Sequence, residues 1–212
     1  ELASLRAAFR CAVDASELDD AAVIATEAGF LGYATDNLEP LAWAEELIPV
    51  AAARAHPRLS ALQALAGQCW MQWRTEDAVR FSDSAARTLS STQQPHLPFG
   101  IQGLPGAAYM ASGEPHRAEQ WYQSCLELHS GEMLLDKVGL VLALVATGNP
   151  DLARELGAGV VHEADRSDNA YTISFALMAH GYALFDVDPV SAIEAFRRGA
   201  DIAERSGNRA IH

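Results

Sequence analysis

A helical motif that returns at a nearly constant interval is the feature that most constrains how this chain can fold. An alanine followed four residues later by a small or aromatic residue opens each copy, after an apolar helix-like segment and a short polar turn. The copies lie 40, 35 and 39 residues apart and begin at Ala78, Ala118, Ala153 and Ala192. A period of about 20 to 50 residues is typical of stacked supersecondary units. The sequence therefore predicts an all-α fold, a right-handed α-solenoid of about eleven antiparallel helices.

Turn signals divide the chain into helices and leave no pattern typical of strands. Ser16 is expected to cap the second helix, and Pro40 to lie in the first turn of the third. The polar stretch Ser90–Pro98 is interpreted as a loop between repeats, with a hinge as the alternative. The expected helices are Glu1–Val13, Leu18–Ala34, Leu38–Arg54, His56–Arg74, Thr75–Leu89, Phe99–Ala111, Glu114–His129, Met133–Thr147, Asp151–Asp165, Asn169–Phe185 and Pro189–Ser206.

Three turns between the predicted helices have similar sequences, at Ala111–His116, Thr147–Asp151 and Phe185–Pro189. Each places a proline near the first position of the next helix, where its missing N–H costs little. Two of them also place a glycine where a helix ends in a left-handed residue. These turns are typical of the short connection within an antiparallel helix pair.

The charge balance excludes several classes of partner. The chain has a net charge of −13, and its single lysine is Lys137. Nucleic acids and anionic membranes both require clustered cations, so neither is expected as a direct partner. The longest apolar run, Val138–Ala146, is far shorter than the roughly 20 residues that cross a bilayer. Three widely spaced cysteines are interpreted as small buried residues of a reduced, cytoplasmic protein, namely Cys11, Cys69 and Cys125.

The repeated segments resemble the tetratricopeptide repeat (TPR), in which one helix carries W-x₂-L-G-x₂-Y and the next carries A-x₃-F-x₂-A. A second pair of segments, starting at Leu62 and Ala78, keeps this spacing without its aromatic residues. The intervals between repeats depart from the 34 residues of that family, which implies longer loops or degenerate units. The best match consists of Gly106-x₂-Tyr109 followed by Ala118-x₃-Tyr122-x₂-Cys125.

The start of the chain resembles a narrower group. The stretch Leu5–Ala12, followed by Leu18-Asp19 and Ala21–Ala25, is similar to the L-R-A-A-x-x-W-A…D…A-x₂-A segment of large ATP-binding transcriptional regulators of the LuxR type. That segment opens the helical-repeat region of these STAND-type ATPases, some of which carry a nucleotide-cyclase domain. Cys11 stands where tryptophan is usual. Later stretches that resemble the same group are Asn169–Ala176, Asp186–Pro189 and Ala203–Arg209.

This resemblance implies a role in sensing. In such regulators the helical repeats follow a nucleotide-binding switch domain and hold it off or release it when an inducer or partner binds. The expected partners are therefore other domains of the same polypeptide and a peptide, protein or small-molecule inducer. Residues 1–212 are interpreted as one TPR-like domain cut from a larger protein, because the chain starts without methionine and ends at a new repeat start, Gly207–Arg209.

No motif for catalysis or cofactor binding is found. Lys137 has none of the glycines of a phosphate-binding loop, and G-x-S-x-G, H-E-x-x-H and G-x-G-x-x-G are absent. No two histidines share the i,i+3 or i,i+4 spacing of a chelating pair, so His162 could bind a metal only with His129 or His180 across a repeat. The sequence therefore predicts no catalytic residue, no metal and no cofactor.

Alignment with the TPR pattern predicts a groove lined by the first helix of each pair. The resemblance also implies that the Lys, Asn and Arg residues that clamp peptide carboxylates in some TPR groups are missing, which disfavours chaperone-tail binding. The helix at Leu134–Ala146 is apolar nearly all round, so either other helices fill the groove, the favoured interpretation, or the groove docks an apolar partner. The candidate partner-binding residues are Gln63, Trp70, Met71, Met110, Leu142 and Val145, and Gly67, Gly103, Ala107 and Val138 lie at further groove positions.

The tryptophans and the overall function each leave alternatives open. Trp70 and Trp73 could anchor a partner, whereas core packing is favoured for Trp73 and Trp43. Three functions compete: a non-catalytic sensor of a multidomain regulator, a stand-alone protein-binding adaptor, and an all-α enzyme with a site between helices. The sensor is favoured by the repeats and by the opening segment.

Overall fold

The computed structural model describes residues 2–91, 100–128 and 133–208, and within these ranges it contains α-helices and short 3₁₀ segments but no strand. The predicted all-α fold of antiparallel helix pairs is confirmed. The predicted helix ends at Glu1, Phe99 and His129 and most of the connection Ser90–Pro98 lie outside the described residues. The helices are α1 (Leu2–Asp14), α2 (Leu18–Ala34), α3 (Glu39–Ala53), α4 (Leu59–Ala66), α5 (Thr75–Ser91), α6 (Leu104–Ala111), α7 (Pro115–Leu128), α8 (Leu134–Ala146), α9 (Pro150–Asp165), α10 (Ala170–Leu184) and α11 (Pro189–Ser206), with 3₁₀ segments at Gly67–Gln72 and Ile101–Gly103.

The helices form two compact units, Glu1–Ser112 and Gly113–His212. In the first unit, each helix from α1 to α6 packs against the next, and α2 and α4 also contact one another across the intervening helix. In the second unit, α7 to α11 pack in the same manner, and α8 contacts α10. Contacts between alternate helices are what stacked helix pairs produce. The single domain over residues 1–212 stays a prediction.

Small residues form the repeated contacts between helices. The four alanines that define the repeat, at positions 78, 118, 153 and 192, are all fully buried. Glycines serve the same purpose at other contacts: a Cβ added to Gly181 in α10 would lie 2.6 Å from the ring of Phe196 in α11. Interiors are packed to near-crystal density, so a side chain at these positions would force the helices apart. The periodicity of the sequence therefore reflects helix–helix contacts.

The predicted helix from His56 to Arg74 is wrong in its second half. Helix α4 ends at Ala66, the chain tightens into the 3₁₀ segment, and Trp73 adopts a left-handed conformation with φ of 63°. A long-range hydrogen bond accompanies the change, because the fully buried side-chain amide of Gln68 donates to the carbonyl oxygens of Ala64 and Leu104. Local helix-forming residues could not indicate a bond to a residue 36 positions away.

Ser16 does not cap α2 as predicted. Its φ is 62°, and the backbone N–H of Glu17 donates to the carbonyl of Ala12, so Ser16 is the left-handed residue that ends α1. The other turn predictions are confirmed: Pro40 lies at the start of α3, and Gly113 and Gly148 are left-handed with φ of 80° and 82°.

The core predictions hold for all but two residues. Trp43 is buried and stacks on Phe9, with ring centroids 4.8 Å apart. Cys69 and Cys125 are buried, whereas Cys11 is exposed, because it lies on the outward face of α1. Trp73 is the second exception and lies beside the candidate site. None of the described helices has the length and apolarity that a bilayer-spanning helix requires.

Candidate protein-docking surface

All six residues predicted to line a groove are half-buried. Gln63 lies in α4, Trp70 and Met71 in the following 3₁₀ segment, and Met110 in α6, so these four belong to the first unit. The remaining two lie in α8 of the second unit and are Leu142 and Val145. Half-burial leaves part of each side chain accessible, as a docking residue requires, but it does not by itself assign a role.

Trp70 is fixed on one side by packing and by a hydrogen bond. Its ring packs against a small cluster that contains Cys69, Ala78 of α5 and Ala108 of α6. Its indole Nε1–H donates to the side-chain oxygen of Gln68 at 2.9 Å. Buried indole groups need such a partner, and here it holds the ring in one orientation. Trp70 is therefore a rigid, half-accessible aromatic residue at the junction of α4, α5 and α6.

Trp73 was predicted to pack in the core, and this is wrong. Its side chain is 92% exposed, and its φ of 63° is rare for a residue with a bulky side chain. The backbone is held by bonds on both sides: Trp73 N donates to the carbonyl of Trp70 at 2.8 Å, and Arg74 N donates to that of Cys69 at 3.3 Å. These bonds turn the chain and direct the indole away from the core.

Arg74 anchors this turn to two helices. Its guanidinium donates two hydrogen bonds of 2.8 Å to the carboxylate of Glu45 in α3. It also donates to Asp77 Oδ2 in α5, at 2.7 and 3.0 Å. The hydrogen bonds from Arg74 lower the pKa of Asp77 below its ordinary value, and those from Arg74 to the two carboxylates raise the pKa of the guanidinium. Two-pronged hydrogen bonding of this kind fixes the orientation of the guanidinium as well as pairing its charge.

Cys69, which precedes the turn, is in an environment that keeps its thiol unreactive. Burial raises the pKa of Cys69 to about 11, and its thiol donates to the carbonyl of Arg74 at 3.4 Å. A thiol that stays protonated at neutral pH is a poor nucleophile. Cys69 therefore supports the turn rather than offering a reactive group.

Gln63 has a hydrogen-bonding capacity that is not used within the described residues. Its side-chain oxygen is buried and has no donor there. A buried acceptor without a donor is uncommon in a folded protein, and this one lies one turn before the 3₁₀ segment. The first unit thus combines Gln63 with two aromatic residues and one half-buried methionine, Met71, along α4 and its extension.

The second unit does not offer an open apolar groove along α8. This helix packs against α7, α9 and α10, and Val138 is buried. Other helices therefore cover most of its apolar surface, as the favoured interpretation predicted. Leu142 and Val145 remain half-buried, and their role in partner binding stays a prediction.

No cluster of potential metal ligands occurs among residues 2–91, 100–128 and 133–208. Glu163, next to His162, forms an ion pair of 2.6 Å with Lys137 instead. His180 packs against Gly157, its Nδ1 has no partner in the described part of the chain, and burial lowers its pKa. His129 lies outside the described residues.

Comparison with known proteins supports the fold and goes no further. No protein-family model matches the chain, and no curated protein matches it. Among solved structures, the chain is similar to a crystal structure of nearly identical TPR-like repeats from a kinesin light chain-like protein of Podosopora anserina. The TM-score is 0.57 at 18% sequence identity, over 86% of this chain and 94% of the other. The protein has a TPR-like helical-repeat fold.

Sequence reasoning found Trp70 and Met71 but missed the residues that fix their position. Gln68, Arg74 and Glu45 carry no motif, because a buried glutamine and an arginine pair are recognised only once distant helices are brought together. The one available signal was the cluster of two tryptophans and a methionine between Trp70 and Trp73, which is unusual for an alanine-rich repeat.

Proposed function

We propose that this chain is a non-catalytic protein-interaction domain, the sensor of a multidomain cytoplasmic regulator of transcription or signalling. It binds an inducer or partner and transmits that binding to a nucleotide-binding switch domain of the same polypeptide. The TPR-like fold supports the interaction role, because stacked helix pairs present extended binding surfaces. The regulator context rests on the opening segment Leu5–Ala25.

One observation carries the proposal: Trp73 is exposed at a positive φ and held there by Arg74. An exposed indole in a strained backbone conformation gains nothing for folding, and such strain concentrates at functional sites. Tryptophan is enriched among the residues that dominate interface energies. Trp70 and Met71 extend the same segment and supply a half-buried apolar base beside it. We infer that the partner inserts an apolar group against these three side chains.

The test compares two exposed residues of the first unit in the full-length protein. Trp73→Ala removes the proposed anchor, and Leu31→Ala removes an exposed leucine of α2 as the control. Cross-linking in the native cell followed by mass spectrometry is expected to find a partner with the wild type and with Leu31→Ala, and to lose it with Trp73→Ala. Equal recovery with all three proteins would contradict a docking role for Trp73.

The regulator context needs a separate test, because a stand-alone adaptor would give the same cross-linking result. The full reading frame is expected to encode a G-x₄-G-K-[ST] loop before this segment and a helix-turn-helix after it. Nucleotide hydrolysis by the full-length protein is then expected to change when Trp73 is replaced. A reading frame without a nucleotide-binding domain would instead make this chain an adaptor.

A further inference from the structure

Helices α10 and α11 share an apolar surface that faces solvent. Large apolar side chains line the last turn of α10, the connection, and the first turns of α11, and all but Phe196 are about half or more exposed. Val190, Ile193 and Phe196 are three residues apart and therefore form a stripe on one side of α11, and Tyr182 lies in the last turn of α10. The α10–α11 patch consists of Tyr182, Phe185, Val187, Val190, Ile193 and Phe196.

An aromatic pair joins the stripe of α11 to Tyr182 of α10. The rings of Tyr182 and Phe196 are in edge-to-face contact, with centroids 5.2 Å apart. Phe196 can lie this close because it packs over Gly181, where a Cβ would be 2.6 Å from its ring. Ile193 is one turn before Phe196 on the same side of α11. The patch is therefore one surface that spans both helices.

The exposed residues of the patch are distinct from the contact that holds the two helices together. That contact is made by small residues of α11 that are buried, namely Ala192, Ala195, Gly199 and Ala203. Gly199 lies against Leu177 and the carbonyl of Ser174 in α10. Apart from Phe196, which packs over Gly181, the large apolar side chains thus lie outside the packed interface of their own pair. Contiguous exposed apolar groups with a polar border are typical of interaction sites.

The border of the patch near the α10–α11 connection is acidic. It contains Asp186, Asp188 and Glu194, all exposed, whereas the exposed Arg197 follows Phe196 in α11 and Arg198 pairs with Asp165. Asp188 accepts hydrogen bonds from the backbone and hydroxyl groups of Ser191, and these bonds lower its pKa below the ordinary value. The carboxylate is therefore charged at neutral pH. A second copy of this chain, with net charge −13, would place the same acidic border against itself.

We propose that the α10–α11 patch docks a cationic amphipathic helix of a partner protein. Apolar side chains of that helix, spaced i, i+3, i+4 and i+7, pack against the exposed side chains of the patch. Its flanking Lys or Arg side chains approach Asp186, Asp188 and Glu194. The site does not depend on the role proposed for Trp73, because the two surfaces belong to different units and carry different residues.

The test uses a fluorescein-labelled model helix of about 18 residues with leucine at the four anchor spacings and lysine elsewhere. A twin peptide carries glutamate in place of lysine. Fluorescence anisotropy with the full chain is expected to detect binding of the lysine peptide and not of its twin. Ile193→Glu is expected to weaken binding about tenfold or more, since a charge is placed among the anchors.

A matched control separates the patch from general attraction to an acidic protein. Leu31→Glu makes the same change of charge at a residue of the first unit that is 57% exposed, against 48% for Ile193. Binding of the lysine peptide is expected to be unchanged or slightly stronger in Leu31→Glu. If charge alone governed binding, Ile193→Glu would bind at least as well as the wild type, and that result would overturn the proposal.

Two further measurements keep the test decisive. If Ile193→Glu loses its helical circular dichroism, Val190→Glu replaces it, because Val190 is 69% exposed and its substitution removes little packing. Sedimentation velocity compares the wild type with Ile193→Glu. We expect no wild-type dimer that the substitution dissociates. Such a dimer, or failure of both peptides to bind, would overturn the proposal, and a dimer would identify the patch as a self-association interface.

Discussion

Arg74 and Glu45 form two hydrogen bonds of 2.8 Å that join the start of α5 to α3. Asp77 accepts from the same guanidinium, so one arginine connects three parts of the first unit around the left-handed turn at Trp73. The pair is partly exposed and screened by water, and its contribution to stability is therefore small. Its main effect is on backbone geometry, because it fixes the position of Arg74, the residue that follows the exposed Trp73.

Arg74→Lys is expected to increase the mobility of the turn at Trp73 while lowering the stability of the fold only slightly. A lysine cannot make the forked contact, so the free energy of unfolding should fall by only about 0.5–1 kcal/mol. Iodide quenching and fluorescence anisotropy would follow the exposed indole, which should become more mobile. Arg80→Lys is the control, since Arg80 pairs with the same carboxylate, that of Asp77, at 2.7 Å but forms no ion pair with Glu45 among the described residues. Equal fluorescence changes in both variants would contradict the role of Arg74.

Trp73→Gly is expected to leave stability unchanged or to raise it by about 0.5–1 kcal/mol, because glycine adopts a positive φ without strain. Little buried surface is lost, since the side chain is almost fully exposed. Partner binding in the full-length protein should be lost at the same time. Urea denaturation measures the first effect. Trp43→Ala provides the contrast and should cost about 3–5 kcal/mol, because Trp43 is buried against Phe9.

Gly181→Ala is expected to destabilise the second unit by about 1–3 kcal/mol, because the added methyl group would overlap the ring of Phe196. Gly159→Ala in α9 is the matched control, since nothing lies within 4 Å of its added Cβ. That control should stabilise the protein by about 0.5–1 kcal/mol through helix propensity. Thermal unfolding followed by circular dichroism would show opposite shifts in Tm, and equal shifts would contradict the packing of α10 on α11.

The stability of the second unit is expected to fall as the solution becomes acidic, in part through His180. Burial lowers the pKa of this histidine below 6.5, so its protonation favours the unfolded chain. Above pH 6.5 this histidine is neutral in both the folded and the unfolded chain and costs no stability. As the pH falls from 6.5 toward the pKa of the folded state, the unfolded chain binds the proton first and the free energy of unfolding decreases. His180→Gln should flatten the pH dependence of urea midpoints in that window. His162→Gln, at an exposed position, should leave the dependence intact.

Several features of the candidate site were predictable from local sequence, and others were not. Trp70, Met71 and Met110 were found because repeat spacing assigns them to the first helix of a pair. The exposure of Trp73 was missed, because helical periodicity runs through Gly67–Trp73 while the folded chain tightens there. The α10–α11 patch is visible in the sequence as Tyr182 to Phe196, but only the position of Ala192 and Gly199 in the contact shows that the large side chains other than Phe196 are left outside.

The sequence by itself determined the all-α fold, the helix pairs and their turns, because spacing, proline and glycine act over a few residues. It also determined the absence of clustered cations. Only the tertiary structure decided where α4 ends, which tryptophan is buried and which side chains hold the turn at Trp73. Those outcomes depend on Gln68 reaching Leu104 and Arg74 reaching Glu45. Such bonds form between residues far apart in the chain, so no local pattern records them.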